Sequence, residues 1–235
     1  MMTKVKEPKI SIIIPVLNEA AGIGRLLDHI LGINSKYISE ISLIDGGSAD
    51  GTLDILKDYN IKVFSSKRGR AAQMNFGAKK ASGDILYFLH ADTFPPDDFD
   101  RLIVDAYKSG AETGCFRMQF DSKNPILKFF AWLSRINHTL CRGGDQSLFI
   151  DRLLFEKQGG FNENYLIYED SEFISRLYKE TRFTILPQSV ITSARKYRQK
   201  GWIRVQFHFG VIHLKNYLGA GPNELYRYYA QNLLS

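Results

Sequence analysis

Ile10-Ser11-Ile12-Ile13-Ile14-Pro15-Val16-Leu17-Asn18-Glu19 is the stretch that decides the fold. Ile10 to Pro15 is a short, continuous apolar run, the pattern of a strand in a parallel sheet covered on both faces. Asn18 and Glu19 follow at once. Asn18 is placed to cap a helix carrying Ile23, Leu26, Leu27, Ile30 and Leu31 at helical spacing. The same rhythm then repeats. A strand over Glu40 to Ile44 ends at Asp45, and a helix is expected over Thr52 to Tyr59. Lys62 to Ser65 reads as a third strand, Ala71 to Ala81 as a helix, and Asp84 to Leu89 as a fourth strand ending at His90-Ala91-Asp92. Alternation of this kind predicts βαβ units and a mostly parallel central sheet flanked by helices, an α/β fold.

Beyond about residue 110 the texture changes. Gly114 to Phe120 reads as a strand, Asn124 to Asn137 as an aromatic-rich helix, and Asp145 to Ile150 as extended chain. Short helices are expected over Arg152 to Gln158 and Ser171 to Lys179. Phe183 to Thr192 reads as a strand whose Pro187 suits an edge. Two C-terminal helices, 202 to 218 and 223 to 234, flank Gly219-Ala220-Gly221-Pro222. With no repeat or low-complexity linker, the 235 residues predict a single domain. Its parts are a nucleotide-binding half (about 10–110), an acceptor or catalytic half (about 111–200) and C-terminal helices (about 201–235).

Bulk properties narrow the classes. A hydrophobic fraction of 44% supports a full core. A net charge of +6 marks a surface that attracts anions: nucleotides, acidic lipids or nucleic acid. The basic residues are scattered and no recognition motif is present, so nucleic acid ranks last. Cys115 and Cys141 are too few for a disulfide framework and read as free thiols in a reducing cytosol. Met1 to Lys9 lacks the apolar core of a signal peptide, and no run reaches membrane-spanning length. The expected location is cytoplasmic, with peripheral contact at the inner face of a membrane as the variant.

Ligands of open α/β sheets bind beyond the carboxyl ends of the strands, which here carry carboxylates and glycines. Asp45, before Gly46 and Gly47, can accept hydrogen bonds from a base or ribose, or close a plain strand-to-helix turn. Glu19 gains from a helix dipole with or without a ligand. Lys67-Arg68-Gly69-Arg70 suits a diphosphate or a solvated face, and Gln73 and Asn75 lie just beyond. Asp92 ends the most apolar strand, where a charge needs solvent, a partner or a metal. It suits Mg²⁺ or Mn²⁺ bridging a substrate diphosphate, or a cap on the turn before Pro95-Pro96. Glu169 and Asp170 begin a helix after the sharp turn Gly159-Gly160-Phe161-Asn162-Glu163. They complement its dipole or supply a catalytic base. Glycine spacing excludes a dinucleotide fingerprint, and no Walker-type loop is present.

Taken together, Pro15 to Glu19, Asp45 to Thr52, Arg68 to Asn75, His90-Ala91-Asp92 and Gly159 through Asp170 resemble the family-2 inverting glycosyltransferases of the GT-A fold, over about residues 10 to 195. The resemblance implies a nucleotide-diphosphate sugar donor, UDP-linked, bound by Pro15, Glu19, Asp45, Arg68, Gln73, Asn75 and Ala91. It implies a divalent metal at Asp92, the last residue of the family's Asp-x-Asp motif, whose first aspartate is here His90. It makes Asp170, beside Glu169, the base, and sets Asp145 and Gln146 on the acceptor side. The acceptor is a small molecule or a lipid-linked one. The Leu-His-Ala-Asp-Thr form, with Thr192-Ser193-Ala194-Arg195, resembles a bacterial subgroup sometimes linked to arsenosugar biosynthesis.

Chemistry fits these roles. An acceptor hydroxyl attacks only once a carboxylate takes its proton, and the departing diphosphate needs cations. Two other readings compete: a non-catalytic nucleotide-sugar or glycan-binding module, and a sugar nucleotidyltransferase, whose glycine-rich basic loop is replaced by the acidic Pro15 to Gly22. In the C-terminal part, residues 126 to 136 and 202 to 218 interleave aromatics with Arg204, His208, His213 and Lys215. They read as core packing with a basic face, or as a membrane-interface surface. Five residues apart on a helix, His208 and His213 point differently, so at most one could join a metal shell.

Overall fold

In the computed structural model the described residues are 7–234. Most of the Met1 to Lys9 segment therefore lies outside them, as does Ser235. The chain runs β1 (Ile10–Val16), α1 (Ile23–Gly32), β2 (Ile38–Asp45), α2 (Thr52–Leu56), β3 (Lys62–Ser65), α3 (Arg70–Lys80), β4 (Ile85–Phe88), β5 (Thr93–Phe94) and α4 (Phe99–Lys108). It continues through β6 (Thr113–Phe120), α5 (Pro125–Leu133), β7 (Leu148–Asp151), α6 (Arg152–Lys157), α7 (Glu169–Glu180), β8 (Thr184–Thr192), α8 (Arg195–Lys200), α9 (Trp202–Tyr217) and α10 (Pro222–Tyr229).

The strands form one sheet in the order β3-β2-β1-β4-β7-β6-β8-β5. The first four pair in parallel, as expected for βαβ units. The rest is mixed: β4–β7, β6–β7 and β5–β8 are antiparallel, and β6–β8 is parallel. Successive side chains of a strand face opposite ways. Ile12 and Ile14 accordingly join one core with Leu26, Leu27, Phe99 and Ile103 of α1 and α4. Ile13 joins a second core, across the sheet, with Met74, Phe155 and Phe173 of α3, α6 and α7. This is why Ile10 to Val16 is apolar at every position but Ser11, whose hydroxyl is bonded to Glu40. Gly77 lets α3 lie close to the sheet: a Cβ there would stand 2.5 Å from Ile13 Cγ2.

A third, smaller core gathers Leu127 of α5, Ile167, Tyr197 of α8, Val205 and Ile212 of α9, and Leu225 of α10. The C-terminal helices are thus packed around residues of their own.

Three sequence expectations are corrected. Pro187 does not mark an edge, because β8 lies between β6 and β5. The β6–β8 register jumps from Phe116↔Leu186 to Arg117↔Ser189, which places Pro187 in a bulge where its missing N–H is harmless. Asn18 does not cap α1, whose N-cap is Gly22. It adopts a left-handed backbone (φ 56°), and its side-chain oxygen accepts the N–H of Ala49 at 2.8 Å. The short helix α8, finally, has no counterpart in the sequence reading.

Candidate active site

The ends of β1 and β2 are stitched into one rim. Ser48 Oγ accepts the Asn18 N–H at 2.9 Å, and Thr52 Oγ1 accepts the Glu19 N–H at 2.9 Å. Asp45 is buried, and its carboxylate accepts the N–H groups of Gly47 (2.9 Å) and Ser48 (3.1 Å), closing its own turn. Pro15 is buried beside it, paired in register with Ile44. Glu19 meets the guanidinium of Arg195, whose Nη2 lies 3.1 and 3.2 Å from its two oxygens. Arg68 is exposed.

Gln73 and Asn75, expected as donor contacts, spend their amides on bonds within the protein. Gln73 is buried, and its amide donates to the carbonyls of Val16 (2.9 Å) and Ile44 (2.6 Å). It is a strut between two strand ends, with both amide hydrogens used. Asn75 donates to Phe161 O and Glu163 Oε1 and accepts the Phe161 N–H at 2.9 Å. It pins the turn that leads towards Glu169-Asp170.

The chemical centre forms where β4 ends and α7 begins. His90 Nε2 lies 3.5 Å from Asp170 Oδ2, and its Nδ1 lies 3.7 Å from Asp145 Oδ1. Burial disfavours a charged imidazole, but the two carboxylates outweigh it and push the His90 pKa up to about 10. Burial likewise opposes ionisation of Asp170, yet His90, with help from Arg70, holds its carboxyl below the usual range. Asp145 follows the same rule: desolvation pushes up, His90 pulls down, and the carboxyl stays below the usual range. Gly144 makes this approach feasible, because a Cβ there would collide with Asp170 Oδ2 and the His90 ring.

Glu169 is fully buried, and Arg70 Nε lies 2.5 Å from its Oε1, off the line of an N–H bond. Both of its oxygens lack a hydrogen bond among the described residues. Burial raises its pKa, and Arg70 offsets this in part. Tyr168, just before the pair, has a left-handed backbone (φ 70°), a strained state for a bulky residue. Its hydroxyl is 3.0 Å from His213 Nδ1 of α9.

Asp92 carries no hydrogen bond or ion pair on its carboxylate among the described residues, and burial together with the charge of Asp145 raises its pKa. Ala91, before it, is buried. The described residues contain no cluster of three or more His, Cys, Asp or Glu able to hold a metal ion alone. One open carboxylate nonetheless fits Mg²⁺ or Mn²⁺, which take one or two carboxylates together with substrate phosphate oxygens. Neither His208 nor His213 joins it: His208 Nδ1 bonds Tyr228 OH at 2.7 Å, and His213 bonds Tyr168. The side chain of Gln146 is engaged within the protein. It is buried, accepting from Arg142 Nη1 and donating to Cys141 O at 2.6 Å.

The structure therefore brings together His90, Asp92, Asp145, Glu169 and Asp170. It adds Arg195, which sequence reasoning did not assign to the site, and gives two residues a more definite place: Arg70, read within a basic patch suited to a diphosphate, and Gly144, read within the acceptor-side segment Gly144-Asp145-Gln146.

Comparison with known proteins bears on the fold and on the family. A mannosyltransferase from Pyrobaculum calidifontis, solved with GDP-Man and Mn²⁺, superposes with TM-score 0.69 at 18% identity, over 96% of this chain and 70% of that one. S. aureus TarS 1-349, solved with UDP-GlcNAc, gives 0.64 at 17% identity, over 79% and 58%. Both share the GT-A fold found here. The succinoglycan biosynthesis protein ExoA of Rhizobium meliloti is 26% identical over 191 residues, 72% of this chain and 57% of its own length. A dolichol-phosphate mannosyltransferase of Pyrococcus furiosus is 28% identical over 110 residues, 44% of this chain and 31% of its own. The chain thus spans between about a third and somewhat over half of these two relatives. The model of the family described as Glycosyl transferase family 2 matches residues 11–153, from β1 into α6, which is more than half of the sequence, and the chain belongs to that family.

Proposed function

We propose that the chain transfers a sugar from a nucleoside-diphosphate donor to an acceptor hydroxyl with inversion, Asp170 acting as general base. One observation carries this reading: Asp170 is largely buried, its carboxyl is held below the usual range by His90, and the charges of the same His90 and Asp145 act on Asp92, whose carboxylate has no partner among the described residues. A base must be ionised at working pH and reachable from the reacting hydroxyl. Asp170 takes that proton as the hydroxyl attacks the anomeric carbon, and direct displacement from the opposite side of the leaving group inverts the centre.

Arg70 stands by the same acids, and its Nη atoms have no hydrogen bond among the described residues, so it suits the developing charge of the diphosphate. A divalent ion held at Asp92 would supply further neutralisation of that leaving group. The nucleoside is placed along the rim of Pro15, Glu19 and Asp45, with Arg68 at its approach. Glu19 becomes available to it when Arg195 releases the carboxylate. UDP is the proposed carrier, supported by the UDP-GlcNAc complex of the TarS fold relative.

Asp170→Asn keeps the shape and removes the base. Turnover is expected to fall by about 10²-fold or more with donor affinity retained. Retained turnover on the acceptor would overturn the assignment. A thermal-shift panel of UDP-, GDP- and TDP-sugars identifies the carrier by the one that raises Tm.

A further inference from the structure

Helix α9 is buried on one side only. Val205 and Ile212 enter the third core. Opposite them, Ile203, Phe207, Leu214, Tyr217 and Leu218 recur at helical spacing and are 72, 63, 56, 84 and 74% exposed. An apolar stripe this long is more than scattered surface leucines. Helix α5, packed beside α9 through Leu127, shows a second such face with Phe129 and Trp132 exposed.

The charge around these faces has one sign. From Ser193 to Asn223 the sequence holds six Lys or Arg and no Asp or Glu, and from Ser122 to Gly144 it holds four and again no acid. Arg195, Arg198 and Lys215 are paired with carboxylates of other segments. Arg204, by contrast, donates to the carbonyl of Asn232 and meets no carboxylate among the described residues. Lys128 on α5 and Arg135 just beyond its end are exposed and flank Phe129 and Trp132. Exposed aliphatic and aromatic side chains rimmed by an excess of cations complement an anionic lipid surface. No helix among the described residues is long and apolar enough to cross a membrane, so the contact is one of lying on the surface.

We propose that the exposed faces of α9 and α5 dock this chain on an anionic membrane, and that docking presents Asp170 to a lipid-borne acceptor. The link to the site is short. The inner side of α9 touches Tyr168 through His213, and Tyr168 directly precedes Glu169-Asp170. Only the thickness of one helix, about 10–12 Å, separates the stripe from that contact. The docking stands independently of the transfer reading; the use made of it rests on that reading.

The test is co-sedimentation of the full chain with phosphatidylcholine vesicles, with and without phosphatidylglycerol. Binding is expected only with the anionic lipid, falling steeply as salt is raised. Lys128→Glu with Arg204→Glu should weaken it by at least about fivefold per cation. Phe207→Ser with Leu214→Ser should weaken it as well, with the UDP thermal shift unchanged as the check on folding. No binding at low salt, or binding indifferent to both pairs of changes, would overturn the docking surface. So would a dimer that the Phe207/Leu214 change dissociates, since the face would then belong to a second copy. Vesicle binding by a protein whose Asp170→Asn form still transfers sugar would leave the docking intact and remove the base assignment.

Discussion

His90 Nε2 stands 3.5 Å from Asp170 Oδ2, so the residue that replaces a motif aspartate at the end of β4 faces the proposed base rather than the open carboxylate of Asp92. In place of one more anion, the cleft gains a cation that stays protonated through neutral pH. That exchange separates two tasks: Asp92 is left to attract positive charge, and Asp170 is kept as carboxylate.

Removing the imidazole should therefore show in the acid limb of the rate profile. His90 lowers the Asp170 pKa, so His90→Ala raises it, and the base becomes ionised only at higher pH. The acid limb of kcat/KM is expected to move up by about one to three pH units, measured with metal and donor saturating. An unmoved limb would mean that His90 does not govern Asp170.

Gly144→Ala puts a methyl group into the space of Asp170 Oδ2 and the His90 ring. A displacement of about 1 Å at a reacting group costs up to about 10²-fold in rate. Turnover should fall by that order while UDP affinity, governed by the β1–β2 rim, holds. Equal loss of both would place Gly144 in folding instead.

Asp92→Asn should abolish the part of the UDP thermal shift that depends on added Mn²⁺, and chelation should do the same to the unmodified protein. A Mn²⁺-dependent shift that survives the substitution would move the ion elsewhere.

Far from the cleft, Glu40 is a buried carboxylate that sets acid stability. Desolvation raises its pKa, but hydrogen bonds from Lys62, Ser82 and Ser11 prevail and bring it down to about 2. Because the folded value lies below the unfolded one, its contribution is complete above about pH 4.5 and is lost as pH falls towards 2. Glu40→Gln should lower stability at pH 7 by about 3 kcal/mol and flatten the loss between pH 5 and 2, read by urea unfolding.

The first half of the fold was legible because Ile10 to Val16 and Ile85 to Phe88 are buried on both faces, which leaves an unbroken apolar signature. In the second half most elements were legible but their pairing was not, since β7 and β8 depend on partners distant in sequence, and the Pro187 bulge imitates an edge. Of the site, the acids were readable because each follows a strand or opens a helix. What stayed hidden was which polar side chains look inward. Gln73 and Asn75 have the composition of ligand contacts, yet their hydrogen bonds go to backbone atoms, and for Asn75 also to Glu163, that only the folded chain brings near. His90 was noticed as a missing carboxylate; its use as a cation depends on Asp145, 55 residues later, being folded against it.

The three hydrogen bonds of Asn75 to residues 161–163 have a mechanical meaning. They clasp the helix after the basic loop to the turn before the proposed base, so donor and acceptor walls cannot part on that side. Any opening of the proposed site is then expected where Arg195 pairs with Glu19, a contact that one side-chain rotation can break.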